Sequence, residues 1–271
     1  MATQEGQEPM EPSARTWIAA LRGSQQRLAA LVGSLIPELL LAPSYDAGWT
    51  IAQVLAHIGA QAEVAQHAVA AALSGREPFG LDGFQAIRAV WNARDPGQQA
   101  VECLVSDRED VRRLEQVTDE QLAGIRLKII GTEYDAVGLL WLRLSEHALH
   151  SWDIAVSLDP AAVVAPQSVA LLIDRVPQVA VCGGKRPGVP YRIGIQTTDP
   201  GREFLLDVSE TVSLSAMRAG AVGDGIPALR MPAEALLRLV YGRLDPGHAP
   251  PAQVLSGRVE LDLLRQTFPG F

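Results

Sequence analysis

Cysteine is scarce in this chain of 271 residues: Cys103 and Cys182 stand alone and far apart. Neither has the Cys-x-x-Cys spacing of a thiolate zinc site or a redox pair, so both are expected to be plain thiols in a reducing compartment. No run of Lys or Arg forms a stripe, and the formal net charge is -8, which argues against nucleic acid or an anionic membrane as partner. No stretch approaches the roughly 18 apolar residues of a transmembrane helix. Met1 to Pro12 is polar and acidic without an apolar core, and is expected to be a disordered tail (residues 1–12) and not a signal peptide. These absences together lead us to expect a soluble, cytoplasmic protein.

Familiar nucleotide and hydrolase motifs are missing too. Cys182-Gly183-Gly184-Lys185-Arg186 lacks the Gly-Lys-Ser/Thr ending of a phosphate loop, and Gly220-Ala221-Val222-Gly223-Asp224-Gly225 does not sit between a first strand and a helix. Both read as turns. There is no Gly-x-Ser-x-Gly nucleophile elbow.

What the chain does have is His57 in Trp49-Thr50-Ile51-Ala52-Gln53-Val54-Leu55-Ala56-His57, and Glu146 with His150 in Glu146-His147-Ala148-Leu149-His150-Ser151-Trp152-Asp153. Two imidazoles and a carboxylate make a ligand set that holds a divalent metal with a position left open. Glu146 and His150, four residues apart, share one face of a helix. A Glu-x-x-x-His pair is more often a solvated face than a ligand pair. The surrounding Leu139, Leu140, Leu144, Leu149 and Ile154 are what favour a metal, because ionisable groups on an apolar helix are costly to bury unpaired.

The third ligand must come from another helix. Thr50 to about Leu73 has Ile51, Val54, Leu55, Ile58 and Val64 on a helical period, and Thr50 with Gln53 forms a capping-box pattern that starts it. A second helix is expected from near Asp135 to Asp159, where Pro160 ends it. At about 1.5 Å per residue, His57 lies roughly 10 Å from its helix start and His150 roughly 13 Å from its helix end. The two depths match only if the helices are antiparallel.

His147 and His67 compete for the ligand role, although His67 is about 80° away from His57 around the axis. His248 reads as exposed loop. Asp153 is either a hydrogen-bond partner that orients His150 or an ordinary surface carboxylate.

The fold expected is α+β. A four-helix bundle spans residues 13–162, with helices at Ser13 to Leu35, Thr50 to Leu73, Gly97 to Gln116 and Asp135 to Asp159, a short helical piece around Phe84 to Trp91 in the long crossover, and an extended loop at Ala123 to Thr132. A smaller α/β domain spans residues 163–271, with a helix at Gln167 to Val179, strands at Tyr191 to Thr197 and Leu205 to Val212, and helices at Ala233 to Arg243 and Val259 to Gln266.

Gly48-Trp49-Thr50, Val54-Leu55-Ala56-His57, Glu146 and His150-Ser151-Trp152-Asp153 together resemble the maleylpyruvate isomerase family of mycothiol-dependent enzymes, whose N-terminal part is a DinB-like bundle. The resemblance implies that His57, Glu146 and His150 bind a divalent metal, zinc by preference, and that mycothiol is the thiol cofactor. Nickel, iron or cobalt would suit the same ligands. The resemblance extends to a late helix ending in Gly242-Arg243. From it a substrate-anchoring role is carried to Arg243, beside the plainer reading that an arginine at a helix end complements the helix dipole.

The activity expected first is a transferase that activates mycothiol as a metal-bound thiolate for attack on a small electrophile in a cleft between the two domains. The alternative is cis-trans isomerisation of the maleylpyruvate type, which shares the thiolate addition and then reverses it. A non-catalytic protein that sequesters an apolar ligand is the rival from another class.

Overall fold

The structure is a computed structural model describing residues 11–129, 131–222 and 225–270. Ten of the twelve residues expected as a tail, and Gly223 and Asp224 of the second glycine-rich piece, lie outside the described residues. The chain divides between Ser157 and Leu158 into two compact units.

The first unit is built on four long helices: α1 (Ala14–Gly33), α2 (Ile51–Leu73), α4 (Pro96–Gln116) and α6 (Ala136–Leu158). A shorter helix, α3 (Leu81–Asn92), occupies the crossover between α2 and α4, and α5 (Asp119–Gly124) follows α4. Their starts are set by side chains. Ser13 caps α1, and reciprocal capping boxes open α2 (Thr50, Gln53), α4 (Asp95, Gln98) and α5 (Thr118, Gln121).

Side-chain contacts give the helix directions. Gln66 and Gly59 of α2 both bond Ser106 of α4, and Val69 and Leu73 share a cavity wall with Leu114 and Val117, so α2 and α4 run the same way. On α6, Glu146 meets Gln61 while His150 meets the segment before α2 at Asp46, so α6 runs opposite to α2. This is the antiparallel arrangement that the matched ligand depths require.

Residues 123–132, expected as an extended loop, instead hold the end of α5 and a hairpin, β1 (Arg126–Ile129) with β2 (Thr132–Asp135). The capping box at Thr118 makes the short helix, and Gly131, at φ +85°, supplies the left-handed turn conformation.

Inside the bundle α6 buries charge as well as leucine. The Arg143 guanidinium donates to Asp107 at 2.5 Å and to Asp110 at 2.9 Å, and all three side chains are at most 3% exposed. His147 lies between Asp107 Oδ2 and the Ser24 hydroxyl, each at 2.8 Å from a ring nitrogen. Burial pushes the Asp110 carboxyl up to about 7 although Arg143 pulls the other way. Burial would raise Asp107 too, but His147 and Arg143 outweigh it and hold that carboxyl below its usual range.

The second unit carries a five-stranded sheet in the order β5-β4-β3-β6-β7: β3 (Tyr191–Thr198), β4 (Glu203–Val208), β5 (Val212–Ala216), β6 (Ala228–Pro232) and β7 (Gln253–Ser256). Only β3 and β6 are parallel. The single strand expected over Leu205 to Val212 is two strands, because the chain reverses at Ser209 to Thr211 with buried apolar residues on both sides. The strands β6 and β7 are additions to the expected set.

The helix expected at Gln167 to Val179 is broken into α7 (Pro166–Leu172), a 3-10 turn and α8 (Val176–Gly183), with Pro177 in the first turn of α8. Two further helices, α9 (Ala233–Val240) and α10 (Leu261–Thr267), complete the unit. Helix α9 stops three residues short of Arg243. Gly242 lies at φ +73° where a Cβ would come within 2.4 Å of Gly270, so the chain there demands glycine and leaves the helix. Glu203 ties the loop after β5 to the sheet by accepting the backbone N–H groups of Gly220, Ala221 and Val222.

Candidate metal centre

Three elements of the first unit position the site: the turn before α2, the second turn of α2, and the middle of α6. The turn is held by a bridge between Pro43 and Thr50 and by the Ser44 N–H donating to the Trp49 carbonyl at 2.9 Å. Gly48, at φ +85°, allows the reversal. Trp49 is thereby laid parallel to the His150 ring, with centroids 6.3 Å apart, and against His57 at 5.3 Å. One short motif therefore does three jobs: glycine turns the chain, tryptophan covers the imidazoles, and threonine starts the helix that carries His57.

His57 Nε2 lies 3.0 Å from Glu146 Oε2, and His150 Nε2 lies 3.6 Å from the same oxygen. The three ligand atoms all fall within 4.8 Å of one another, and the two imidazole rings meet edge-on with centroids 4.6 Å apart. Three ligand atoms placed tetrahedrally at bonds of about 2.0 to 2.2 Å stand roughly 3.4 Å apart. The donor set fits a divalent cation in both chemistry and spacing.

The His150 ring is oriented from behind. Its Nδ1 donates to Asp153 Oδ2 at 2.9 Å, and the Asp153 side chain is fully buried. That bond fixes the tautomer and leaves the Nε2 lone pair turned toward Glu146. Of the two readings of Asp153, the buried orienting partner is the one the structure has. A second grouping, Asp46 with His150 and Asp153, would use the other ring nitrogen. We favour the first grouping because Nδ1 is already engaged by a buried carboxylate.

Electrostatics follow from this packing. Burial lowers the His57 pKa, and the Glu146 carboxylate only partly restores it. Burial would also lower His150, but hydrogen bonds to Asp153 and Glu146 outweigh it and raise that imidazole to about 9. Glu146 would be raised by burial, yet the two histidines hold it well below the usual carboxylate range. A carboxylate flanked by two imidazoles and 39% exposed is an accessible anionic site.

The other candidate residues go elsewhere. His147 belongs to the buried Asp107–Arg143 network, a partnership signalled in the sequence only by Asp107 with Asp110 and Arg143 with His147 at helical spacing. His67 is exposed, 4.0 Å from Glu63 and edge-on to Phe79. His248, expected as exposed loop, is partly buried and bonded to Asp245. In the second unit the Arg243 guanidinium donates to the Tyr241 carbonyl at 3.1 Å. Gln61, absent from the expected site, lies one helical turn beyond His57 with its amide nitrogen 3.4 Å from both His57 and Glu146.

A helical bundle with two histidines and a glutamate converging on one point defines a class of metal-site bundle proteins. Residues 21–155 match the mycothiol maleylpyruvate isomerase N-terminal domain, and the chain belongs to that family of enzymes. Among solved structures, the crystal structure of the mycothiol-dependent maleylpyruvate isomerase is similar with a TM-score of 0.67 at 13% identity, covering 92% of this chain and 95% of that one. A mutant of that enzyme is similar with a TM-score of 0.66 at 13% identity and the same coverage. These likenesses establish the α+β fold. No curated protein sequence matches the chain. Among the described residues, no helix is long and apolar enough to cross a membrane.

Proposed function

We propose that His57, Glu146 and His150 hold one divalent cation, and that the protein uses mycothiol to isomerise a small conjugated electrophile. The observation that carries this is the convergence of three ligand atoms from two helices on an exposed carboxylate, with the tautomer of one imidazole fixed by a buried aspartate. With two neutral imidazoles and one carboxylate, a bound cation retains net positive charge and lowers the pKa of a thiol offered to it.

The chain's own groups supply the rest. Asp153 keeps His150 from turning, Trp49 shields both imidazoles on one side, and Gln61 presents an amide donor at the open edge. The sulfur forms a bond to one carbon of the double bond while the π electrons move onto the conjugated carbonyl. Rotation about the resulting single bond, return of the electrons and departure of the thiolate give the isomer and regenerate the thiol.

The family and the two similar structures carry isomerisation in their names, which supports this reading over the transferase expected first. Zinc is proposed as the metal on the strength of the nitrogen-rich ligands. The substrate-anchoring role of Arg243 remains a proposal, tested by the KM of Arg243→Ala.

Incubation of the metal-loaded protein with mycothiol and a maleyl-type substrate separates the readings. Rearranged substrate with the thiol recovered is the expected result. A stable thioether product would establish transfer instead, and no turnover with unchanged ligand binding in His57→Ala and His150→Ala would favour a binding protein.

A further inference from the structure

The face of α2 that presents His57 does not end there. His57, Gln61, Val64 and Ala68 fall at intervals of four, three and four residues, which is one continuous stripe along a helix. Its first half is the polar edge of the candidate metal centre, where the Gln61 amide touches both His57 and Glu146. Its second half forms one wall of a cavity of about 240 Å³ completed by Phe79 and Phe84, with Lys128 at its rim. At about 1.5 Å per residue the step from His57 to Val64 is roughly 10 Å, the length of a small planar molecule.

Helix α3 lies against this stripe. Trp91 packs so closely on α2 that a Cβ at Gly59 would come within 2.3 Å of its ring, while Phe84, nearly two turns earlier, faces Val64 and Ala68 across the cavity. Arg88 stands between them. Its guanidinium carbon is 6.0 Å from the centroid of the Phe84 ring, its charge acts on His57, and it has no carboxylate partner among the described residues. An exposed cation left unpaired between a reactive centre and an apolar wall is a receptor for an anionic group. By contrast, the larger cavity of about 290 Å³, lined by Gln66, Leu73 and Leu114, includes none of the three candidate ligands.

We infer that the α2–α3 cavity receives the body of the substrate and that Arg88 binds its carboxylate, so that the protein selects planar, conjugated carboxylic acids over their uncharged analogues. The inference deepens the proposed function and rests on it for the reactive end of the molecule. The apolar walls take the unsaturated body by area burial. The Arg88 fork takes two carboxylate oxygens in its plane, and Lys128 adds a second positive charge at the far rim.

The test is a binding measurement, so that it stands apart from turnover. Cinnamate and cinnamamide, matched in shape and differing in charge, are titrated into the full-length protein and followed by NMR. The wild type is expected to bind the acid about ten- to a hundredfold more tightly. Arg88→Gln is expected to remove that preference, Arg88→Lys to keep part of it, and Phe84→Ala to weaken both compounds together. Equal affinity for acid and amide in the wild type would overturn the inference, as would a preference that survives in Arg88→Gln or affinities unaffected by Phe84→Ala. Metal content measured on the same samples reports separately on the metal centre: its absence would refute the proposed function, whereas the acid-to-amide preference alone decides the role of this cavity.

Discussion

His150 is held between two carboxylates, with Nδ1 at 2.9 Å from the buried Asp153 and Nε2 at 3.6 Å from the accessible Glu146. One carboxylate orients the ring and the other joins it in facing the open side of the site. Replacing the hidden partner should therefore be felt at the metal. In Asp153→Asn the ring loses its charged acceptor, and metal affinity is expected to fall about ten- to a hundredfold. Competition against a chelator measures this; an affinity equal to wild type would show that Asp153 has no orienting role.

The same relationship sets a pH dependence. Without metal, His150 carries its proton up to about pH 9, and a cation must displace that proton to bind Nε2. Glu146 stays ionised across the range because the histidines hold it low. Metal affinity should rise about tenfold per pH unit on approaching pH 9 from below and level off above it, since one proton is released per ion. For the metal-free fold the sign is opposite. The raised imidazole contributes stability that is fully present below its ordinary pKa near 6.5 and is lost as pH rises through about 9. Chelator competition between pH 6.5 and 8.5 is decisive, and a flat profile would mean that His150 is not displaced from its proton.

Arg143 neutralises Asp107 and Asp110 in the interior of the bundle. Arg143→Met removes the cation and leaves both carboxyls buried without it, a change expected to cost about 3 to 5 kcal/mol. Urea denaturation should show it as a lower midpoint. A loss under about 1 kcal/mol would mean that the pocket admits water or protonates without strain.

Gly59 is a contact position, since a Cβ there would lie 2.3 Å from the Trp91 ring, and that indole is buried and donates to Glu63. Gly59→Ala should displace α3 and destabilise the first unit by about 1 to 3 kcal/mol despite alanine's better helix propensity. An unchanged melting temperature would show that α3 moves freely on α2.

Much of this could be read from the residues. The capping box at Thr50 and Pro160 after α6 mark helix ends with local chemistry, so the depths of His57 and His150, and hence the antiparallel pairing, followed from arithmetic. What stayed hidden depends on partners distant in the chain. Strand β7 is exposed along nearly all its length and lacks a clean alternation, and β6 follows a Gly/Pro-rich stretch; each is a strand because of the neighbour it pairs with. His147 looked as able a ligand as His150 because both lie on the same apolar helix. Only the meeting with Asp107 and Ser24, 40 and 123 residues away, turns it inward. Trp49 carried a legible signal, since a tryptophan between a turn glycine and a helix cap has to pack on something nearby.

The most direct measurement is the absorption spectrum of the cobalt-substituted protein on addition of mycothiol, with metal content determined beforehand. The account expects one cobalt per chain in the wild type, a new near-ultraviolet sulfur-to-cobalt charge-transfer band when the thiol is added, and loss of both metal and band in His57→Ala and His150→Ala. Stoichiometric cobalt retained in those variants, or a wild-type spectrum unmoved by the thiol, would contradict it.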